Sequence, residues 1–490
     1  MILSKSQYLR GLQCLKSLWL YKNRPELRAK PDASQEALFE RGYEVGDLAK
    51  ELFAGGIEIE FDPNNFDGMI QKTKELIANG AQIIYEATFK ERKIFAMADL
   101  LVRDGNGWNM YEVKSSAQVK EYHLDDASIQ WYALSNAIQL HKACIIHINN
   151  QYERHGDLEI HKLFAIEDVT DEVLQRQKDI SSNLSKMQQT LQGDEPAINI
   201  GPHCFDPFEC DFLEYCWKNV PEISVFRLYR MNGTKKFELY YQGVVSYEDV
   251  ANSDISLNEA QKLQIGTFLN QTVHIDKEKI RKFLAKIKYP ISFLDFETFH
   301  EAIPRFDGQR PYQQIPFQYS LHILYEDGTL VHKEFLADEN VDPRPELAKR
   351  LLQDIAPNGT IMAFNKSFEI RVIRELAVNL PEFQERLYAL IERFEDLIEP
   401  FRNLGYYHPD FHGSFSIKSV LPALFPQDDE LDYKKLGSVQ NGGEAMQIFA
   451  KLHLLQDRSK RDEIRKDLLA YCRLDTLAMV RIYEKLREAI

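Results

Sequence analysis

Two acidic residues lie inside a strongly apolar segment, Ile291–Phe299, whose sequence is ISFLDFETF. Side chains alternate between the two faces of a β-strand, so a strand here presents Asp295 and Glu297 on one face and Phe296 on the other. Neighbouring carboxylates on a mostly buried strand are costly unless a cation binds them. A solvated strand end is the alternative, but the surrounding hydrophobic residues disfavour it. The segment therefore predicts a mostly buried strand that carries a metal site.

The pattern that follows this strand predicts an α/β domain. Short apolar segments come first, and strand-like and helical segments then alternate. We predict strands at Phe317–Leu324, Val331–Leu336 and Thr360–Phe364, and helices at Arg344–Ile355, Phe368–Val378 and Asp462–Leu486. Strands followed by alternating strand and helix units are typical of a mixed sheet covered by helices.

Two further segments supply residues that could join the metal site. Tyr471 and Asp475 lie four positions apart in the predicted final helix, so they share one of its faces. Glu369 lies in the first turn of the helix that follows the Thr360–Phe364 strand. Stabilisation by the helix dipole is the alternative explanation for an acid at that position. Asp396 is a second acid that could take the place of Glu369.

Together these segments resemble the DEDD exonuclease superfamily, which has an RNase H-like fold, over residues 289–490. The strand motif D-x-E matches Asp295 and Glu297, and the motif Y-x-x-x-D of the tyrosine subclass matches Tyr471 and Asp475. The histidine subclass has H-x-x-x-x-D, where this chain has Ala470. The middle motif departs from the family pattern N-x-x-F-D, because Glu369 stands where the aspartate is usual.

The resemblance implies hydrolysis of phosphodiester bonds by two bound Mg²⁺ or Mn²⁺ ions, with removal of nucleotides from the 3′ end. The implied metal ligands are Asp295, Glu297, Glu369 and Asp475. The implied role of Tyr471 is to orient the attacking water. The segment Gly413–Lys418 is also similar to the family's segment near the substrate, which implies a contact between Lys418 and phosphate. An ordinary surface lysine is the alternative.

The N-terminal part of the chain contains a second group of acidic and basic residues. We predict consecutive strands at Ile83–Phe89, Ile94–Val102 and Trp108–Val113, then a helix near Asp126–Leu140 and a strand at Ile145–Ile148. Asp99 and the sequence Glu112-Val113-Lys114 fall on neighbouring strands, and Gln130 falls on the helix. An acid and an ammonium on one strand face can hold a metal and stabilise phosphate charge. An ordinary Glu–Lys pair in a sheet is the alternative.

Four of the six cysteines bracket this group. Cys204, Cys210 and Cys216 recur at six-residue intervals, and Cys14 lies near the start of the chain. Zinc knuckles usually have C-x2-4-C pairs, so the wider spacing favours an iron–sulfur cluster over zinc. The two remaining cysteines, at positions 144 and 472, are interpreted as buried and unliganded.

One cysteine before and three after a D…E-x-K core resembles the RecB-like iron–sulfur nucleases of the PD-(D/E)XK superfamily, which are restriction-endonuclease-like α/β domains, over residues 1–220. The resemblance implies a [4Fe-4S] cluster on the four bracketing cysteines. It also implies catalytic roles for Asp99, Glu112, Lys114 and Gln130, the first two as metal ligands, with Glu86 as an additional acid. Relatives often have a metal-binding histidine where this chain has Gly46. The N-terminal head could therefore be a catalytically inactive clamp that binds nucleic acid.

The chain length of 490 residues indicates two or three domains. We predict a multidomain α/β protein with a nuclease domain at 1–220, a connecting subdomain at 221–288 and an exonuclease domain at 289–490. Within the connecting subdomain we predict a strand pair over Arg227–Gln242, around Asn232-Gly233, and a helix at Lys277–Lys288. The joint arrangement resembles a bacterial family of fused nucleases with no assigned pathway.

Charge and hydropathy narrow the function classes. A net charge of −15 argues against a sequence-specific DNA-binding regulator, but metal-dependent nucleases use bound cations to meet the phosphate. No apolar run reaches the roughly 20 residues that span a bilayer, and the N-terminal residues lack an apolar signal core. The sequence therefore predicts a cytoplasmic, metal-dependent nuclease with DNA or RNA as its partner and no membrane association.

Overall fold

The structure is a computed structural model that describes residues 1–490. The chain divides into two compact units. The first unit comprises Met1–Asn219 and Ala302–Tyr312, and the second comprises Val220–Glu301 and Gln313–Ile490. Both units contain a β-sheet and helices, so the predicted multidomain α/β architecture is confirmed. No helix is long and apolar enough to cross a membrane.

A seven-stranded mixed sheet forms the centre of the first unit. Its strands are β1 Leu3–Ser4, β2 Ile57–Glu58, β3 Ile83–Glu91, β4 Ile94–Asp104, β5 Gly107–Lys114, β6 Leu140–Ile148 and β7 Phe164–Asp168. The order is β2-β3-β4-β5-β6-β7, and β1 pairs with the start of β4. Strands β3, β4 and β5 are antiparallel neighbours, whereas β5 and β6 are parallel.

The helices of the first unit are α1 Lys5–Gln13, α2 Leu15–Asn23, α3 Ala33–Ala49, α4 Phe66–Ala78, α5 Glu121–Leu134, α6 Ile160–Leu163, α7 Thr170–Gln192 and α8 Leu213–Cys216. Helix α5 connects the parallel strands β5 and β6, and it contributes Ala127, Ile129 and Ala133 to the main core. Such parallel neighbours need a crossover, which a buried helix provides.

The second unit has a five-stranded sheet of order β11-β10-β9-β12-β13 and a separate two-stranded sheet, β14-β8. The strands are β8 His274–Ile275, β9 Ile291–Phe299, β10 Ile315–Leu324, β11 Leu330–Leu336, β12 Ile361–Ala363, β13 Phe394–Asp396 and β14 Tyr406–Tyr407. Strands β9, β10 and β11 are antiparallel neighbours, and β12 and β13 run parallel to β9. Strand β9 is therefore the central strand of the five-stranded sheet.

Helices cover both faces of this sheet. The helices of the second unit are α9 Gly233–Tyr241, α10 Tyr247–Ala251, α11 Glu259–Asn270, α12 Lys277–Leu284, α13 Pro343–Asp354, α14 Ser367–Asn379, α15 Gln384–Ile391, α16 Glu399–Arg402, α17 Ile417–Leu424, α18 Gly442–Leu452 and α19 Arg458–Glu488. Phe293 packs in one core with residues of α19, whereas Leu294 and Phe296 pack in another with α13 and α14. The odd-numbered positions of β9 consequently face α19.

The predicted strand pair over Arg227–Gln242 is wrong. Residues 233–241 form helix α9, and Asn232 is its N-cap, with Oδ1 accepting the backbone N–H of Thr234 at 2.8 Å. Asn-Gly is a hairpin signal, but asparagine is equally favoured at a helix N-cap. The region predicted as a connecting subdomain, residues 221–288, lies within the second unit.

Candidate functional site

The acidic face of β9 meets the polar face of α19 in the second unit. Asp295 and Glu297 both lie on the α19 side, and Glu297 is only 8% exposed. Asp475, which is 7% exposed, approaches from α19 one turn after Tyr471. The Tyr433 hydroxyl donates a hydrogen bond to Asp475 Oδ1 at 2.5 Å. Strand alternation and helical spacing thus bring these carboxylates together from positions 180 residues apart.

The third acid, Glu369, comes from the first turn of α14. Asn365, two residues before the start of α14, has a φ of 73°, and its backbone N–H donates to Asp396 Oδ1 at 2.8 Å. Glu369 is 3% exposed, and its Oε2 has no hydrogen-bond partner. Asp396 therefore holds the turn between β12 and α14, while the turn buries Glu369 near the other acids.

The electrostatics of this group reflect buried like charges. Burial, followed by the charges of Asp475, Glu297 and Glu369, raises the pKa of Asp295 well above its ordinary value. Burial raises the pKa of Glu369 to about 8 and that of Asp475 to about 6. The charge of Lys418 acts in the opposite direction on Glu297 and Asp475. Carboxylates crowded in this way are suited to bind divalent cations.

Lys418 lies next to the same group. Its Nζ is 5.6 Å from the ring centre of Tyr433 and 5.7 Å from that of Tyr471, and it donates to the Gln440 carbonyl at 3.3 Å. The two rings hold the ammonium beside the acids through cation–π attraction. The position of Lys418 suits contact with an anionic ligand of the site.

Sequence reasoning missed two participants in this site. The thiol of Cys472 lies 3.6 Å from Asp295 Oδ2, although we predicted this cysteine to be buried without a role. Its spacing of three residues from Asp475 on one helix was a usable signal. Tyr433 left no signal, because its contact with Asp475 depends on the fold alone.

A second acidic group lies in the first unit, between β5 and α5. Glu112, 2% exposed, accepts hydrogen bonds from Lys114 Nζ at 2.7 Å and from Gln130 Nε2 at 2.6 Å. Asp126, 4% exposed, accepts from Lys114 Nζ at 2.5 Å. Lys5, at the start of α1, adds a second ammonium at 2.7 Å from Glu112 Oε1 and 3.6 Å from Asp126 Oδ1.

Burial and the charges of Asp126 and Asp99 raise the pKa of Glu112 to about 7. Burial opposes the charged form of Lys114, but Asp126 and Glu112 outweigh it and raise the pKa of the ammonium. Asp126 and Lys5 were not predicted. Asp126 lies four positions before Gln130 on α5, so helical spacing could have identified it, whereas nothing in the sequence indicated Lys5.

The remaining predicted acids of the first unit have different environments. Asp99 accepts the backbone N–H of Val113 through Oδ2 at 2.7 Å, which ties it to the neighbouring strand. Glu86 has a φ of 57° inside β3, and burial together with the charge of Asp99 raises its pKa to about 8. A left-handed residue within a strand is strained, and such strain is common at functional sites.

The four bracketing cysteines converge on one pocket. Cys14, Cys204, Cys210 and Cys216 are all free thiols and line the same cavity. The sequence predicts helical structure from Ser4 to Tyr21. Cys14 has extended backbone that divides this segment into α1 and α2. Burial raises the pKa of Cys14, and the backbone N–H groups of Ser17 and Lys16 act against that rise. Four convergent thiols with helix N–H donors fit a site for a thiolate-bound metal or cluster.

Comparisons with known proteins match part of the chain. Residues 292–416 match a family model described as "Domain of unknown function (DUF2779)", which includes Asp295, Glu297 and Glu369. The chain is 27% identical over 256 residues to "Uncharacterized protein UU173" of Ureaplasma parvum, covering 48% of this chain and 36% of that protein. It is 25% identical over 222 residues to "Uncharacterized protein MG366" of Mycoplasma genitalium, covering 42% and 33%.

The chain spans about a third of the length of these curated relatives. None of the three descriptions assigns an activity. The function is therefore argued from the geometry of the two acidic groups.

Proposed function

We propose that the protein is a metal-dependent nuclease that hydrolyses phosphodiester bonds of DNA or RNA. The observation that carries the proposal is the convergence of Asp295, Glu297, Glu369 and Asp475 from β9, α14 and α19. Without a bound cation, this buried arrangement of acids is costly. Sites of this composition hold two Mg²⁺ or Mn²⁺ ions in phosphoryl-transfer enzymes.

Each residue then has a defined task. The four carboxylates would hold the cations, and Tyr471, 4% exposed, would orient the attacking water. Lys418 offers an ammonium for a non-bridging phosphate oxygen. Bound divalent ions supply activation of water and stabilisation of the leaving oxygen. Removal of nucleotides from the 3′ end follows from the resemblance to the DEDD exonucleases.

The sheet of the second unit supports this proposal. Three antiparallel strands are followed by two strands parallel to the first, and two of the four acids, Asp295 and Glu297, lie on the first and central strand β9. This arrangement agrees with the RNase H-like fold that the motif pattern implies. Helix α19, the last helix of the chain, packs on one face of the sheet and supplies Asp475 to the site.

The first unit is proposed as a second, RecB-like nuclease head. Lys114 and Gln130 both donate hydrogen bonds to Glu112, and Asp99 lies on the adjacent strand. The four cysteines would hold a [4Fe-4S] cluster, since their free thiols line one pocket. Free thiols agree with a reducing compartment, so the predicted cytoplasmic location belongs to the same proposal.

A second candidate for this unit is a catalytically inactive clamp. The observation that favours it is that both Glu112 and Asp126 are ion-paired with Lys5 and Lys114, which leaves less negative charge for a metal than in the second unit. Gly46 also provides no ligand where related nucleases have histidine. In this case the first unit binds nucleic acid and the second unit cuts it.

One assay tests the proposal and separates the two candidates. The assay measures release of label from DNA and RNA in the presence of Mn²⁺. The substrates are single and double strands labelled at the 5′ or the 3′ end, and the proteins are the wild type, Asp295→Ala and Lys114→Ala. We expect Asp295→Ala to lower the rate of degradation from the 3′ end by about a thousandfold or more. Glu392→Gln, at an exposed position, is the control.

Unchanged 3′ degradation in Asp295→Ala contradicts the assignment of the second unit. A loss of a separate cleavage in Lys114→Ala supports an active first unit. If Lys114→Ala cleaves every substrate as the wild type does, the first unit is a clamp.

A further inference from the structure

The thiol of Cys472 belongs to the same cluster of ligand atoms as the acids of β9. Cys472 is completely buried, and its thiol donates a hydrogen bond to Asp295 Oδ2, with 3.6 Å between Sγ and Oδ2. Three ligand atoms lie within 4.8 Å of one another, one each from Asp295, Glu297 and Cys472. Cys472 is three positions before Asp475 on α19, so both side chains approach β9 from the same helix face.

The separation of the sulfur and oxygen fits coordination of one ion. Tetrahedral zinc has Zn–S bonds of about 2.3 Å and Zn–O bonds of about 2.1 Å, which place a sulfur and an oxygen ligand about 3.6 Å apart. The observed distance between Cys472 Sγ and Asp295 Oδ2 is the same. The side chains therefore need little rearrangement to bind one cation together.

A separate observation also points to a missing ligand. Glu369 Oε2 is buried and has no hydrogen-bond partner, although the residue is only 3% exposed. The charge of Glu369 raises the pKa of both Asp295 and Glu297, so this carboxylate is near enough to act electrostatically on the cluster. An unsatisfied buried carboxylate is costly, and a cation bound by the neighbouring residues would satisfy it.

We propose that Cys472 is a metal ligand and that its site prefers a thiophilic divalent ion of the Zn²⁺ class over Mg²⁺. The inference rests on the proposed function, because it names the kind of ion that this nuclease site takes. Thiolates favour Zn²⁺ and other transition-metal ions, whereas Mg²⁺ takes oxygen ligands almost exclusively. A site of two carboxylates and one thiolate differs in this respect from an all-carboxylate site.

The full chain, with its N-terminal cysteine pocket first reconstituted anaerobically with iron and sulfide, is titrated with Zn²⁺ and with Mn²⁺ by calorimetry. We expect Cys472→Ala to weaken Zn²⁺ binding at the second unit by roughly tenfold or more and Mn²⁺ binding much less. Cys472→Ser keeps a polar atom at nearly the same volume, and it should also lower the Zn²⁺-to-Mn²⁺ affinity ratio. Cys144→Ala, at the other predicted unliganded cysteine, is the matched control.

A second readout uses Co²⁺ in place of Zn²⁺. A cobalt–thiolate charge-transfer band should form in the wild type and Cys144→Ala and be absent in Cys472→Ala after subtraction of the metal-free spectrum. An unchanged affinity ratio in both Cys472 variants overturns the inference, even if nuclease activity is present. Conversely, a lowered ratio together with full nuclease activity of Glu297→Gln supports Cys472 as a ligand while contradicting the proposed function.

Discussion

Lys5 and Glu112 form an ion pair with 2.7 Å between Nζ and Oε1, although 107 positions separate them in the chain. The side chain of Glu112 is almost fully buried and that of Lys5 is mostly buried. Lys5 is the first residue of α1, and Cys14 directly follows the last residue of that helix. Helix α1 therefore links the acidic group of the first unit to the cysteine pocket.

A hydrogen-bonded charge pair in a buried position is stronger than a surface pair. We therefore expect the effects of Lys5→Met and Glu112→Gln on the free energy of unfolding to be coupled. A double-mutant cycle should give a coupling free energy of about 1–3 kcal/mol. Tryptophan fluorescence during urea unfolding is a suitable measurement, because all tryptophans of the chain lie in the first unit: Trp19, Trp108, Trp131 and Trp217.

The more exposed pair Lys50–Glu58, at 2.8 Å, is the control for this cycle. Its coupling should stay below about 1 kcal/mol, since solvent screens it. Equal coupling energies in both cycles would show that Lys5 is an ordinary surface partner of Glu112.

Neutralising one acid of the second unit should stabilise the metal-free protein. Glu297 is buried among Asp295, Glu369 and Asp475, so Glu297→Gln removes like-charge repulsion and a desolvated carboxylate. We expect the free energy of unfolding in chelator to rise by about 1–2 kcal/mol, while stabilisation by Mn²⁺ is lost. Thermal melting with and without Mn²⁺ measures both effects.

The matched control is Glu339→Gln. Glu339 is 6% exposed, but its Oε2 is paired with Arg465 Nη1 at 2.8 Å and its Oε1 with Arg461 Nη1 at 3.2 Å. Its substitution should destabilise the protein by about 1.5–3 kcal/mol and leave the Mn²⁺ effect intact. Destabilisation of the metal-free protein by Glu297→Gln would contradict the interpretation of the acidic group as a cation site.

Local patterns in the sequence predicted the elements that carry the site. Strand β9 has the predicted bounds, Ile291–Phe299, and the final helix contains the predicted one. Alternation along the strand and four-residue spacing along the helix are short-range rules, so they placed Asp295 and Asp475 on the correct faces.

Contacts that depend on packing could not be predicted in the same way. Lys5 reaches Glu112 only because α1 packs near α5, and Tyr433 reaches Asp475 from a short 3-10 helix that lies 42 positions earlier in the chain. The break of the N-terminal helix at Cys14 was also invisible, because the hydrophobic pattern continues through it. Asn232-Gly233 shows a further limit, since one dipeptide suits both a hairpin and a helix start.

The stability of the protein should fall as the pH decreases because of a buried histidine. His322 is 3% exposed, and its Nδ1 is 2.7 Å from Thr476 Oγ1. Burial, followed by the positive charges of His332 and Arg473, lowers the pKa of His322 to about 3. The unfolded chain therefore binds a proton near pH 6.5 that the native state binds only near pH 3.

The contribution of His322 to the free energy of unfolding is complete above about pH 6.5. It is lost as the pH falls toward 3, with a slope of at most about 1.4 kcal/mol per pH unit. His322→Asn keeps a polar group for Thr476 and should flatten the dependence between pH 4 and 6.5. Urea unfolding followed by far-ultraviolet circular dichroism at several pH values measures this pH dependence. The control is His161→Asn, at an exposed position. Identical slopes in the wild type and His322→Asn would show that His322 does not stay neutral in the native state.

The cysteine pocket gives the last prediction. Protein purified without oxygen should be brown and hold about four iron atoms per chain, because four thiolates bind a [4Fe-4S] cluster. Cys14→Ser should lower the iron content and also the urea midpoint reported by tryptophan fluorescence, since a bound cluster stabilises only the folded unit. Cys144→Ser should change neither. A colourless protein with one zinc per chain would instead identify the pocket as a zinc site, and a Cys14→Ser variant with full iron content would remove Cys14 from the ligands.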